Sequence, residues 1–169
     1  MIQAGIIGAT GYAGIELVRL LLQHPQATVA AVSSVSFEGQ ALADVYPNLN
    51  GITSLTCTNA EDVISQSDVV FAALPHGLSQ DTAAACVQQG KKFIDLGADF
   101  RLDDPAEYTQ WYQCEFKHPE LHRQAVYGLC ELFREDIRKA FVIGNPGCYP
   151  TSVALGLAPA LQKGLVSPS

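Results

Sequence analysis

Seven residues near the start of the chain constrain it most: Gly8-Ala9-Thr10-Gly11-Tyr12-Ala13-Gly14. An apolar run, Ile2 to Ile7, precedes them. Leu17, Val18, Leu21 and Leu22 follow at three- and four-residue steps. The run reads as a buried strand, and Ile15 to Gln23 as a helix closed by Pro25. Few folds feed a strand into a helix through glycines spaced G-x-x-G-x-x-G. The first glycine permits a tight turn, the second lets the backbone approach a pyrophosphate, and the third packs the helix on the strand. The helix start then presents free N–H groups and the positive end of its dipole to phosphate.

The rest of the chain continues the alternation. Ala27 to Val32 reads as a second buried strand, Asp68 to Leu74 as a third and Lys92 to Leu96 as a fourth, with Phe141 to Gly144 as a last short one. Helices are expected from a start capped by Asn59, over Ser79 to Gln89 with Gly90 as its stop, over Asp103 to Gln113 with Pro105 in the first turn, and over Pro150 to Lys163. Ser33 to Asn50 reads as a long polar loop. Alternating strands and helices predict an α/β, Rossmann-type, doubly wound and mostly parallel sheet with helices on both faces. Residues 1–150 are expected to form a dinucleotide-binding domain. Residues 151–169 read as a helix and the start of a linker to a further, substrate-binding domain.

Composition narrows the partners. Nearly half of the residues are apolar and the net charge is −7. A chain this acidic lacks the basic face that nucleic acids and anionic membranes require. No apolar stretch approaches the ~20 residues of a membrane span, and Ile2 to Ile7 is too short for the core of a secretion signal. The five cysteines are irregularly spaced, with no C-x-x-C pair, which argues against a metal site. Reduced thiols in a cytoplasmic protein are the simplest reading.

The end of the second strand bears on the cofactor. An NAD site places Asp or Glu there to hold the ribose 2′-hydroxyl. This chain has Ser33-Ser34-Val35-Ser36 instead. With no carboxylate to repel a 2′-phosphate and with three hydroxyls to bind one, Ser33, Ser34 and Ser36 favour NADP over NAD.

Cys148 stands in Gly144-Asn145-Pro146-Gly147-Cys148-Tyr149-Pro150-Thr151, a strand, a turn and a helix start. A thiol at that place lies near the positive end of the helix dipole, which favours its thiolate. Covalent catalysis asks for a nucleophile held in this way. Cys57, Cys86, Cys114 and Cys130 lack the setting and read as inert buried thiols. A nucleophilic thiol combined with a nicotinamide points to reduction of an activated acyl group: thioester formation, hydride transfer, then release of an aldehyde. Of the four histidines, His24, His118 and His122 read as solvated. His76 follows the third strand at the carboxyl edge of the sheet, where a cofactor-contacting or structural role is favoured.

These segments resemble one family, the N-acetyl-gamma-glutamyl-phosphate reductases, which are related to the aspartate-semialdehyde dehydrogenases. The resemblance rests on Gly8 to Gly14 (GATGYAG), Ala73 to Gly77 (ALPHG), Asp95 to Leu102 (DLGADFRL), Tyr127 to Leu132 (YGLCEL) and Gly144 to Thr151 (GNPGCYPT). It implies that Cys148 is the thioester-forming nucleophile. It also implies that Gly8, Thr10, Gly11, Tyr12 and Ala13 bind NADP phosphates, with Pro75 and His76 near the cofactor. Arg101 and Asn145 fall on the side of a small-molecule acyl-phosphate substrate. Arg101 suits a phosphate, or alternatively an ion pair with Asp99 or Asp103. The chain departs from the family pattern at Val35, where Arg is frequent, and at Cys130, where Pro is frequent. The family further implies a second domain with the general acid or base and the contacts of a homo-oligomer, so that this chain alone binds nucleotide without turnover. Two other readings stay open: a reductase of the aspartate-semialdehyde dehydrogenase type, and a non-catalytic NADP-binding module that senses redox state through Cys148.

Overall fold

The computed structural model describes residues 1–167; Pro168 and Ser169, the end of the expected linker, lie outside the described residues. Seven strands form one sheet: β1 (Ile2–Ile7), β2 (Ala27–Ser33), β3 (Cys57–Thr58), β4 (Val69–Ala72), β5 (Lys92–Asp95), β6 (Val126–Tyr127) and β7 (Val142–Gly144). Their order across the sheet is β3-β2-β1-β4-β5-β7-β6, and every neighbouring pair is parallel. The chain runs outward from β1 through β2 to β3, then crosses back to build the other half from β4. Direction therefore reverses between β1 and β4, the place where α/β sheets open a crevice for ligands. This is the expected Rossmann-type α/β fold.

Period-two alternation divides the core between the two faces. Ile6 points into a cluster with Val18, Val32 and Leu42, beneath helices α1 (Tyr12–Leu21) and α2 (Leu42–Val45). Its neighbour Ile7 points the other way, to Val63, Val70, Ala83 and Phe93, beneath α3 (Ala60–Ser65) and α4 (Gln80–Gln88). Side chains as fully buried as Phe93 and Ile6 each contribute about 1.5–3 kcal/mol by leaving water.

Several expectations need correction. Helix α1 starts at Tyr12, inside the glycine motif and three residues before the apolar periodicity. The supposed polar loop after β2 holds α2 and a 3-10 turn at Pro47–Leu49, which bury Leu42 and Leu49. Helix α5 (Pro105–Tyr112) is capped by Asp104, whose carboxylate accepts from the N–H groups of Ala106 and Glu107. The segment after it folds into α6 (Pro119–Gln124), β6 and α7 (Cys130–Lys139).

His122, expected in solvent, is 2% exposed. It stacks on Phe116 with ring centroids 3.7 Å apart, packs against Phe100 and Tyr108, and places Nε2 3.1 Å from Oε1 of Gln80. Burial lowers its imidazole from the ordinary histidine value, outweighing the backbone of Leu102 and Lys117 and the attraction of Asp99 and Asp103. The last helix, α8 (Cys148–Gln162), has no buried residue, and Val153, Leu157 and Leu161 are exposed along it. Among the described residues no helix is long and apolar enough to cross a membrane.

Candidate functional site at the carboxyl edge of the sheet

Because all seven strands run the same way, the segments that leave their carboxyl ends gather along one edge. The glycine turn leaves β1, Ser34 leaves β2, Pro75 and His76 leave β4, Arg101 follows β5, and Cys148 follows β7. β1 and β7 stand three strand spacings apart, about 14 Å.

The glycine turn is tightly specified. Gly8 has φ +81°, and a Cβ there would lie 2.5 Å from the carbonyl oxygen of Ala73. A Cβ on Gly14 would fall on the carbonyl oxygen of Gly8, while one on Gly11 would meet only that same oxygen, at 3.5 Å. So Gly8 and Gly14 are required for packing, and Gly11 keeps the approach to the turn open. The N–H groups of Gly8 and Ala9 both donate to Ser33 O (3.1 and 2.9 Å), which ties the turn to the end of β2. Gly11 caps α1 with backbone alone, so no side chain occupies the donors of the first turn. The hydroxyls of Thr10 and Ser34 lie 2.6 Å apart, and the Tyr46 hydroxyl donates to Thr10 O at 2.7 Å. Tyr12 is 97% exposed.

Beside the turn lies a cavity of about 190 Å³, lined by Gly8, Ser33, Ser34, Val35, Glu38 and Thr58 among others. Ser33 and Ser34 thus reach it, whereas Ser36 is exposed and is not part of its wall. Glu38 is the residue that sequence reasoning missed. It stands 24 residues past Gly14, near the spacing at which a ribose-binding acid is sought, but beyond the end of the strand. The premise that no carboxylate faces this position is therefore corrected.

Next along the edge, Pro75 and His76 form an exposed turn, with the His76 ring 5.5 Å from that of Tyr112. Its backbone is clamped from below. Asp99 accepts from Gly77 N–H at 2.6 Å, Ser79 N–H at 2.9 Å and the Tyr108 hydroxyl at 2.9 Å. Asp95 accepts in turn from the N–H groups of Gly97 and Asp99. Both carboxyls are fully buried. Burial raises the Asp95 carboxyl above its ordinary value, and raises the Tyr108 hydroxyl, which also faces Asp99.

Cys148 is the first residue of α8, capped by the backbone of Gly147, and is exposed. The turn before it is fixed from three sides. Asn145 N–H donates to Asp95 O at 2.8 Å, Gly128 N–H donates to Gly144 O at 2.9 Å, and Arg101 Nε donates to Asn145 O at 2.8 Å. Arg101 Nη2 donates to Leu96 O at 3.0 Å. Arg101 thus pairs with neither Asp99 nor Asp103; its guanidinium joins the β5 and β7 turns. The Asn145 side chain donates to Pro146 O within the same turn.

The other thiols divide. Cys57 and Cys86 are buried, and burial pushes the Cys86 thiol up to about 12. Cys130, expected to be buried and inert, is exposed and is the first residue of α7. Among the described residues no three His, Cys, Asp or Glu side chains stand together as metal ligands would.

Residues 3–140 match the family model described as Semialdehyde dehydrogenase, NAD binding domain. The chain belongs to that family. Within it, the chain is 55% identical over 169 residues to an N-acetyl-gamma-glutamyl-phosphate reductase of Clostridium botulinum (strain Eklund 17B / Type B), covering 100% of this chain and 49% of the relative. It is 49% identical over 171 residues to the enzyme of the same name from Moorella thermoacetica, again over 100% of this chain and 49% of the relative. This chain therefore spans about half the length of the curated relatives it matches. Its fold is shared with the aspartate semialdehyde dehydrogenase of Candida albicans, solved with NADP: TM-score 0.69 at 18% identity, over 96% of this chain and 47% of that one.

Proposed function

We propose that this chain is the dinucleotide-binding and nucleophile-bearing part of a reductase that converts N-acetylglutamyl 5-phosphate to N-acetylglutamate 5-semialdehyde and phosphate, a step of arginine biosynthesis. One observation carries the reading: an exposed thiol at the start of α8, in a turn braced by Arg101, stands on the same sheet edge as the glycine turn. The names of the half-identical relatives support the substrate.

The residues at the glycine turn fit a dinucleotide. Gly11 leaves the approach open, and α1 turns uncapped N–H groups toward it. Gly8, Thr10, Gly11, Tyr12 and Ala13 would hold the phosphates, with Ser33 and Ser34 facing the adenosine ribose from the cavity wall. Those hydroxyls support NADPH as the hydride donor. When bound, the reduced nicotinamide supplies a hydride. Pro75 and His76, in the turn that leaves β4, would border it.

Cys148 attacks the acyl carbon as thiolate, forming a C–S bond while the bond to phosphate oxygen breaks. Arg101 holds the turn still and presents its remaining N–H groups toward the departing phosphate, with Asn145 beside it. Uncapped N–H groups at the start of α8 face the developing oxyanion. After reduction of the thioester carbon, the C–S bond breaks, the thiolate is restored and the aldehyde leaves. The proton-transfer group for this collapse belongs to a substrate domain beyond residues 1–150, reached through α8, whose exposed Val153, Leu157 and Leu161 suit such a cover.

The test uses the whole protein carrying this chain, in the reverse direction, with N-acetylglutamate 5-semialdehyde, phosphate and NADP+. Cys148→Ser is expected to abolish reduction of NADP+ while leaving dinucleotide binding unchanged. Retained turnover in Cys148→Ser would end the proposal.

A further inference from the structure

The opposite, amino edge of the sheet carries a cavity of its own. It lies where β1, β4, β5 and β7 begin, has a volume of about 610 Å³, and is lined by Ile2, Asp68, Val69, Lys91, Lys92 and Phe141 among others. That volume falls within the roughly 300–1,000 Å³ of small-molecule sites. Ile2 and Phe141 are half exposed and, with Val69, give the cavity an apolar lining. Gly90, at the end of α4, borders it as well, and a Cβ there would meet nothing within 4 Å.

Two opposite charges stand on the same lining. Asp68 accepts from Gln3 N–H through Oδ2 at 2.8 Å, which leaves its other oxygen for a partner. Lys92 is already engaged: Nζ donates to Ala140 O at 2.6 Å and lies 5.2 Å from the centre of the Phe141 ring. Lys91 is the free cation of the pair of lysines, and among the described residues neither Asp68 nor Lys91 takes part in an ion pair. The backbone fixes both. Lys92 N–H donates to Asp68 O at 3.1 Å, and Lys91 N–H donates to Cys86 O at 2.9 Å. Val69 and Lys92 are partners across β4 and β5, so Asp68 and Lys91, one step earlier, begin about one strand spacing, ~5 Å, apart. A lone anion or cation would answer one of these charges. The ammonium and carboxylate of a single α-carbon answer both.

We infer that this cavity binds a free α-amino acid with an apolar side chain. Asp68 takes the ammonium, Lys91 the carboxylate, and Ile2, Val69 and Phe141 the side chain. Charge-assisted hydrogen bonds at both ends orient the ligand, and apolar burial adds affinity. The cavity does not share the sheet edge of the glycine turn: Lys92 and Asp95 begin and end β5, about 10 Å apart along the strand. An amino acid and a dinucleotide can therefore be held together.

Calorimetric titration of the folded whole protein with L-phenylalanine, alone and with NADPH present, tests this. Saturable binding of one molecule per chain is expected in both cases. Hydrocinnamate lacks the ammonium and phenethylamine lacks the carboxylate, and each should bind at least about fivefold more weakly, the size of one lost charge contact near the surface. Lys91→Gln and Asp68→Asn should each weaken L-phenylalanine by a similar factor and leave the NADPH titration at its parent value. Lys91→Gln keeps the backbone bond to Cys86, so it decides the matter if Asp68→Asn, beside Gln3, lowers stability in thermal unfolding. No saturable binding of L-phenylalanine to the folded protein overturns the inference. So does binding unmoved by Lys91→Gln, hydrocinnamate bound as tightly as L-phenylalanine, or displacement of L-phenylalanine by NADPH, which would put it at the other edge.

Discussion

Arg101 donates through Nε to the carbonyl of Asn145 at 2.8 Å and through Nη2 to the carbonyl of Leu96 at 3.0 Å, so one guanidinium ties the turn after β5 to the turn that presents Cys148. The planar fork makes both bonds without adjustment; an ammonium is a single point of charge. Arg101→Lys is therefore expected to keep the fold but lower kcat of the whole protein by about tenfold or more, because misplacing the proposed nucleophile, Cys148, would be costly. Arg101→Ala removes both charged hydrogen bonds and should lower stability by roughly 2–4 kcal/mol, read by urea unfolding. An Arg101→Ala protein with parental stability would mean that the turn stands without the brace.

Gly14 is a second point at which the backbone permits one residue only. Its added Cβ would strike Gly8 O and the backbone of Ala9. Gly14→Ala should force α1 away from β1, cost about 3 kcal/mol, and weaken dinucleotide binding at least tenfold. Gly156 has nothing within 4 Å of the same atom, so Gly156→Ala serves as a control that should stabilise slightly.

Asp99 clamps the turn of Pro75 and His76 by accepting two backbone N–H groups and the Tyr108 hydroxyl. Asp99→Asn sets an amide donor against at least one of these donors. A loss of about 2–3 kcal/mol is expected in denaturant unfolding. Tyr108→Phe removes only one of the three and should cost about 1 kcal/mol.

His122 gives a pH dependence whose sign is fixed. Burial lowers its folded value below 6.5, so the unfolded chain takes up the proton first as pH falls. The stability it contributes is complete above about pH 6.5 and is lost on acidification through the folded value. The melting temperature should decline as the pH falls below about 7, where an unperturbed histidine begins to take up its proton. His122→Phe should flatten that decline while leaving the buried stack on Phe116 and Phe100. An unchanged slope in His122→Phe would assign the decline to other groups.

How far the sequence reached is clear from single elements. β1, the glycine turn and β2 were readable because six or seven consecutive residues repeat one signal. β3 and β6 have two residues each, too few to show a period, and α7 buries none of its side chains and is interrupted by a non-helical Phe133. His122 was misjudged because its cage comes from Phe100, Phe116 and Tyr108, which meet only in three dimensions. Glu38 was missed for a related reason. Its place in the cavity is set by pairing of Gly39 and Gln40 with Cys57, a contact between segments that no local pattern encodes. The place of Cys148 at a helix start was legible because glycine and proline surround it in sequence.

Cys130 and Cys148 each open a helix and are both exposed, while Cys57 and Cys86 are buried and Cys114 is half-buried. A solvent-borne alkylating reagent therefore meets two accessible sulfur atoms before it meets the rest. Stoichiometry of modification on the native protein should approach two, and inactivation should track only one of them. Counts of the proposed nucleophile based on thiol labelling will come out twofold high unless Cys130 is first replaced, for which Cys130→Ser is the simplest background.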